Sequence, residues 1–317
     1  MRTKTFLSEN EPIGRPVRIV SLSFYDQPLD HIAALVDAEG GRGADLIALP
    51  ETWNMQYKNQ PEPLTGPTVT ALVDLAQKHR TYIVCPIDRQ DGDRRVNSAV
   101  LIDRLGRIVA VYGKVYPYWS EYDLNPAVQP ALTPPPVYKA DFGVIGMAIC
   151  FDANFPTVWQ ALADQGAELI IWPSAYSAGR SLQAHAINHH FYVVTSTYTK
   201  DCIVYDITGE EILYEKHDEV NISRFTLDLD RGIYHENFNM AARDRLLAEH
   251  GDDVEMEQWL TREQWFVLRA KRPGVSARRL ARQSGLEELR DYLTRSRIQI
   301  DQMRNVQLAP APVQGSI

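Results

Sequence analysis

The chain is poor in cysteine: Cys85, Cys150 and Cys202 are the only thiols in 317 residues. A sparse, odd-numbered set cannot form a disulfide framework, and it fits a chain that works in the reducing cytoplasm. Long apolar runs are absent too. No stretch approaches the ~20 apolar residues that a membrane-spanning helix needs. Met1–Pro16 offers Arg2 and Lys4, then Ser8, Glu9, Asn10, Glu11 and Pro12, without the apolar segment of a signal peptide. Basic residues are in deficit, with 33 Lys and Arg against 41 Asp and Glu, for a net charge of -8. Such a body repels a polyanion unless a local basic patch prevails. What remains is ordinary for a globular protein, with 44% apolar and 23% charged residues.

The pattern that is present is a repeated order of elements. In the first half, Val17–Phe24 reads as a buried strand, Leu29–Ala38 as a helix and Asp45–Leu49 as a short strand. Val69–His79 reads as a second amphipathic helix, before strands at Tyr82–Cys85, Ala99–Asp103 and Arg107–Tyr112. The second half repeats this order. Its strands fall at Val144–Ile149, Glu168–Trp172, Tyr192–Thr197, Ile203–Asp206 and Glu211–Tyr214, and its helices at Val158–Gln165 and Leu182–Phe191. The last two strands of each half are joined by Asp-x-x-Gly, Asp103–Gly106 and Asp206–Gly209, in which Asp starts the turn and Gly takes the positive-φ position.

Two sheets that each carry helices on one face must hide their other faces, and stacking them does so. The expected fold is therefore α/β, a four-layer α-β-β-α sandwich, rather than a single doubly wound sheet. Residues 1–231 form this body. Residues 232–317, with 13 basic and 12 acidic residues, read as a helical C-terminal extension. Its expected helices are Ala241–Glu249, Arg262–Ala270, Ala277–Gln283 and Leu286–Met303, followed by a disordered tail at Leu308–Ile317.

Three positions stand where chemistry is expected. Cys150 ends the apolar run Val144–Cys150 and precedes Phe151-Asp152-Ala153-Asn154-Phe155-Pro156 and a helix, so its thiol sits on a sharp strand-to-helix turn. Glu51 closes the apolar strand of Leu49-Pro50-Glu51-Thr52-Trp53, and Lys114 follows the strand of Tyr112-Gly113-Lys114. Taken singly, the cysteine reads better as core and the two charges as rim residues. Taken together, LPETW, NSAVLIDRLGRIVAVYGKVYP and GMAICFDANFP resemble, in order, the three catalytic blocks of the nitrilase superfamily. GAELIIWPS and YDITGEEIL also fit, and the resemblance runs from about Val17 to Asp230.

The resemblance implies the same four-layer sandwich and a Glu–Lys–Cys triad, carried here by Glu51, Lys114 and Cys150. Many members have a second glutamate shortly after the lysine, and Glu121 matches it. Such a site hydrolyses a C–N bond without metal or organic cofactor. Glu51 takes the thiol proton, the thiolate attacks the carbonyl, and Lys114 with the Phe151 backbone N–H stabilises the oxyanion. Glu51 then protonates the leaving amine and activates the water that cleaves the thioester. Phe151, Trp172 and Tyr176 are the expected substrate-binding residues, and Tyr57, Trp119 and Tyr122 lie in loops near the same blocks. Cys85 and Cys202 fall inside strands and read as core.

Phe151-Asp152 stands where nitrile-preferring members carry Trp-Glu, which favours a small amide over a nitrile. An N-carbamoyl (ureido) substrate and a nitrile stay open. Members acting on N-carbamoyl amino acids place arginines just after the cysteine. Here Arg180, in the loop after Ser174, is the nearest. His185 and His189 stand four apart where relatives carry Arg and Glu. This is metal-ligand spacing without a third ligand, so packing or a dimer surface is the better reading. In the extension, Arg269–Arg282 has six basic and no acidic residues. A nucleic-acid-binding appendage or an inactive scaffold is the rival of another class. The acidic body and the intact triad favour an oligomerisation arm on an enzyme, in keeping with a family whose members assemble as homodimers or larger.

Overall fold

The structure, a computed structural model, describes residues 12–54 and 60–304. Tyr57 and Leu308–Ile317 lie outside the described residues. The chain divides into two compact units, one spanning Pro16–Leu229 and one that begins at Asp230 and takes in residues 12–15.

The first unit runs β1 (Pro16–Phe24), α1 (Leu29–Gly41), β2 (Leu46–Ala48), α2 (Pro67–His79), β3 (Tyr82–Asp91), β4 (Arg94–Ile102) and β5 (Ile108–Gly113). After the short helix α3 (Trp119–Tyr122) come β6 (Val137–Lys139), β7 (Val144–Met147), a 3-10 turn at Cys150–Asn154, α4 (Pro156–Asp164) and β8 (Leu169–Ser174). α5 (Arg180–His189), β9 (Tyr192–Thr197), β10 (Asp201–Tyr205), β11 (Glu211–Lys216) and β12 (Val220–Asp228) complete it. The strands form two six-stranded sheets, ordered β12-β1-β2-β3-β4-β5 and β11-β10-β9-β8-β7-β6. In each, three parallel strands pass into an antiparallel hairpin, β1–β5 matching β7–β11. The repeat read from the sequence is thus real. Both Asp-x-x-Gly turns form as expected, with Gly106 at φ 75° and Gly209 at φ 82°.

Alternation along β1 explains the layers. Val20, Leu22 and Phe24 pack against Ile32 and Val36 of α1 and Val69 and Leu72 of α2. Ser21 and Ser23, on the other face, meet the second sheet. The Ser21 hydroxyl donates to the Thr195 carbonyl at 2.7 Å, and the Ser23 hydroxyl accepts the Thr197 N–H at 3.0 Å. The strands therefore read as continuously buried, but the seam between the sheets is partly made of small hydroxyls. These are affordable inside because each finds a partner.

Three parts of this unit were not legible. β12 pairs antiparallel with β1 along its whole length, and β6 pairs with β7. The inward residues of β12 include Asn221 and Ser223, which hid its alternation. β3 and β4 also run further than expected, through the polar hairpin Asp88–Asn97.

The second unit comprises β13 (Gly232–His235), α6 (Glu236–His250), β14 (Val254–Leu260), β15 (Trp265–Ala270), α7 (Ala277–Gln283) and α8 (Leu289–Met303). It is not purely helical. The segment expected as a helix at Arg262–Ala270 is a turn followed by β15, the central strand of a three-stranded antiparallel sheet. Trp265-Phe266-Val267-Leu268 is a short apolar run that suits strand and helix alike, and pairing on both sides decides it. Phe266, Leu268, Tyr234, Leu246, Ala277 and Ala281 build this unit's core. No helix among the described residues is long and apolar enough to cross a membrane.

Candidate active site

Four segments of the first unit deliver their side chains to one cavity of about 420 Å3. Glu51 follows β2, Lys114 follows β5, Glu121 sits in α3, and Cys150 opens the 3-10 turn after β7. Two of these places carry backbone strain. Cys150 has φ 46°, and Thr52, a β-branched residue beside Glu51, has φ 33°. Non-glycine residues are held in the left-handed region where surrounding bonds over-determine them, commonly at reactive sites.

The bonds around the charges are dense. Lys114 is fully buried, and its Nζ donates to Glu51 Oε1 at 2.7 Å and to Glu121 Oε2 at 2.5 Å. Asn97 spans the same two carboxylates, its Nδ2 donating to Glu51 Oε1 at 2.7 Å and to Glu121 Oε1 at 2.8 Å. The second oxygen of Glu51 accepts the Ala175 N–H at 2.9 Å. Glu121 also accepts the Tyr118 N–H at 2.6 Å.

Burial alone would lower Lys114, but the neighbouring charges of Glu51, Cys150 and Glu121 outweigh it and hold the ammonium above its ordinary range. Burial pushes the Cys150 thiol well up, the Glu51 charge pushes it further, and Lys114 pulls it back. The site thus sets a thiol raised by burial beside an ammonium that favours its thiolate form.

Asp152 fixes the turn that carries the thiol. Its Oδ2 accepts from the Tyr112 hydroxyl at 2.6 Å and from Ile149 N–H at 3.0 Å, and its Oδ1 from Tyr116 N–H at 2.9 Å. The residues expected to bind substrate stand elsewhere than foreseen. Trp172 is fully buried, donating from Nε1 to the Cys150 carbonyl at 3.2 Å, so it braces the turn that carries the thiol. Phe151 packs edge-on against Tyr118 and Phe155, and Tyr176 edge-on against Trp172, close enough to Cys150 and Glu51 to feel their charges. Trp119 and Tyr122 are exposed, and Arg180 is exposed at the start of α5.

Asn97, Asn54, Glu62, Asp88, Arg95 and Tyr198 line the cavity and were not singled out in the sequence. Asn97 heads the block NSAVLID, where a polar residue just before a buried run was the available signal.

His185 stacks on Trp159 with ring centres 4.2 Å apart and bonds the Ala153 carbonyl through Nε2 at 2.9 Å. Burial lowers it, and burial with the charge of His185 lowers His189 to about 4. These imidazoles serve packing. Cys85 and Cys202 are free, fully buried core residues.

A sandwich with reactive groups gathered at the strand ends of both sheets is the architecture of the nitrilase class of enzymes. The chain belongs to the carbon-nitrogen hydrolase family, whose sequence pattern matches residues 24–231. It is accordingly a hydrolase of C–N bonds other than peptide bonds. Among curated relatives it is similar to a deaminated glutathione amidase of Synechocystis sp., 31% identical over 196 residues, covering 54% of this chain and 71% of that protein. It is also similar to a beta-ureidopropionase of Arabidopsis thaliana, 30% identical over 159 residues, covering 46% and 39%. Among solved structures, an amidase from Nesterenkonia sp. superposes with a TM-score of 0.60 at 19% identity, covering 75% of this chain and 99% of that one, a likeness of fold.

Proposed function

We propose that the chain hydrolyses a small amide through a thioester on Cys150, releasing ammonia or an amine. The observation that carries this reading is Lys114, a buried ammonium clamped between Glu51 and Glu121 in the cavity that Cys150 lines. Glu51 takes the thiol proton as sulfur bonds to the substrate carbonyl carbon. Lys114 and the Phe151 N–H stabilise the oxyanion, where a charge in a dry pocket acts with little screening. Glu51 passes its proton to the departing nitrogen as the C–N bond breaks. It next deprotonates a water that attacks the thioester, and the thiolate leaving regains the proton as the acid departs. Glu121 and Asn97 hold the ammonium and Glu51 in place without touching the reacting atoms.

The test is ammonia release from a panel of short amides, nitriles and N-carbamoyl compounds, by wild type and Cys150→Ala. Turnover of amides that vanishes in the variant supports the reading, and equal turnover by both contradicts it. A ureido substrate is the second reading, favoured by the beta-ureidopropionase likeness, and carbon dioxide released with ammonia marks it. The nucleic-acid reading of the basic segment loses support, because Arg269 pairs with Glu255, Arg272 with Asp253 and Arg278 with Glu288 inside its own unit. A cytoplasmic homo-oligomer remains our reading. Three unpaired thiols and the exposed Leu293, Ile300 and Met303 of α8 support it. Light scattering on Leu293→Glu/Ile300→Glu tests it, since a mass unchanged from wild type would contradict α8 as the interface.

A further inference from the structure

The cavity extends beyond the reacting groups along the β3–β4 hairpin. Asp88 of β3 lies opposite Asn97 of β4, and Arg95 lines the wall two residues on, about 7 Å further along the strand. Arg95 is committed to Asp88 through a forked pair, Nε 2.9 Å from Oδ1 and Nη2 2.5 Å from Oδ2. Glu62 is tied to the same hairpin by backbone bonds, its N–H to the Asp88 carbonyl and its carbonyl to the Gln90 N–H, both at 2.9 Å.

Unlike Asp88, Glu62 has no cationic partner among the described residues. Its carboxylate is buried at 6% exposure, is hydrogen-bonded by the Thr68 N–H at 3.1 Å and by the Thr68 side chain, and meets no lysine, arginine or histidine among the described residues. Asn54 lines the same wall at 7% exposure. Its Nδ2 donates to the Thr68 hydroxyl at 2.7 Å, and its Oδ1 is buried without a partner. A buried carboxylate with no counter-charge among the described residues, beside an amide oxygen with no donor, is costly in a cavity wall unless a ligand supplies both. Burial pushes Glu62 above the usual carboxylate range, and the Asp88 charge adds to it. The cavity charges lean the same way: Glu51, Glu62, Asp88 and Glu121 face only Lys114 and Arg95 among the described residues.

We infer that this end of the cavity receives the protonated amine of the substrate, with Glu62 as its counter-charge and Asn54 Oδ1 as a second acceptor. The inference rests on the amidase reading for the other end of the ligand. The substrate class is then a short amide or ureide with an ammonium group a few carbon atoms from the scissile bond. A carboxylate-ended substrate would meet Glu62 head-on.

Binding to the full-length Cys150→Ala chain tests this without chemistry. Three straight-chain amides of equal length, ending in ammonium, methyl or carboxylate, are titrated by calorimetry. The ammonium-ended amide is expected to bind on the order of 10–100-fold tighter than the methyl-ended one. In Cys150→Ala/Glu62→Gln that preference shrinks severalfold or more. Gln keeps an acceptor for the Thr68 N–H, and Asn54→Leu gives a second route if Glu62→Gln does not fold. Equal binding of the three, preference for the carboxylate, no binding, or a preference that survives both substitutions would overturn the inference. If the ammonium amide binds selectively yet wild type forms no acyl-enzyme from it, the amidase reading fails alone.

Discussion

The Tyr112 hydroxyl donates to Asp152 Oδ2 at 2.6 Å, and both side chains are fully buried. Tyr112 lies on the strand that delivers Lys114, and Asp152 belongs to the turn that presents Cys150. The Tyr116 N–H donates to the other oxygen of Asp152, so Lys114 lies midway in sequence between two residues anchored to the turn of Cys150. Asp152 therefore sets ammonium against thiol without being exposed to the cavity.

Asp152→Asn replaces one acceptor with a donor. It is expected to cost about 1–3 kcal/mol of stability by chemical denaturation, and to lower kcat on the order of tenfold or more through misplacement of Lys114. The pH dependence has a definite sign. Burial raises the Asp152 carboxyl to about 6, against hydrogen bonds that lower it. A carboxyl whose folded value exceeds its unfolded 3.8 contributes stability that is full below that value and lost as pH rises through about 6. The wild-type advantage over Asp152→Asn should shrink across that window. An advantage that grows with pH would contradict the assignment.

Lys114→Met leaves Glu51 and Glu121 buried without their cation. A loss of about 3–5 kcal/mol is expected in a denaturant titration, as for a buried pair deprived of one partner. Adding Glu51→Gln and Glu121→Gln should recover much of the stability and none of the turnover. Stability unrecovered in the triple variant would place the damage elsewhere.

Asn97→Leu removes the bridge between the two glutamates while filling the same space. The expected result is a fall in kcat on the order of 10–100-fold, from loss of alignment. Asn97→Asp should be worse, since it adds a third carboxylate to the cluster. Unchanged kcat in Asn97→Leu would remove the positioning role.

The thiol offers a test in the opposite direction from catalysis. Burial and the Glu51 charge both raise Cys150, and Lys114 lowers it. Glu51→Gln should therefore speed alkylation of Cys150 by iodoacetamide at neutral pH while abolishing turnover, and Lys114→Met should slow it. The rates follow from peptide mass spectrometry, and the reverse order would contradict this electrostatic account.

The sandwich, and the meeting of Glu51, Lys114 and Cys150 in one cavity, were readable because apolar strands ending in these three residues stand out from their flanks. The rest was hidden for physical reasons. Trp172 is an aromatic near the nucleophile in sequence, but it faces inward and braces the Cys150 carbonyl. Asp88, Arg95 and Asn97 lie on the polar ends of β3 and β4, where charged residues suggest a surface loop until partner strands and a cavity wall enclose them. Glu62 and Asn54 meet only through Thr68, a contact that spacing cannot reveal. Strand β15 shows the same limit, since four apolar residues do not say which partners will flank them.

The most direct test is to mix wild type with a turned-over amide, quench within milliseconds to seconds, and weigh the intact protein and its Cys150 peptide. The account predicts a mass increase equal to the acyl group, on Cys150, cleaved by hydroxylamine and absent in Cys150→Ala. Turnover with neither an acyl mass on the quenched wild type nor a hydroxamate formed when hydroxylamine is present, or an adduct on another residue, would contradict it.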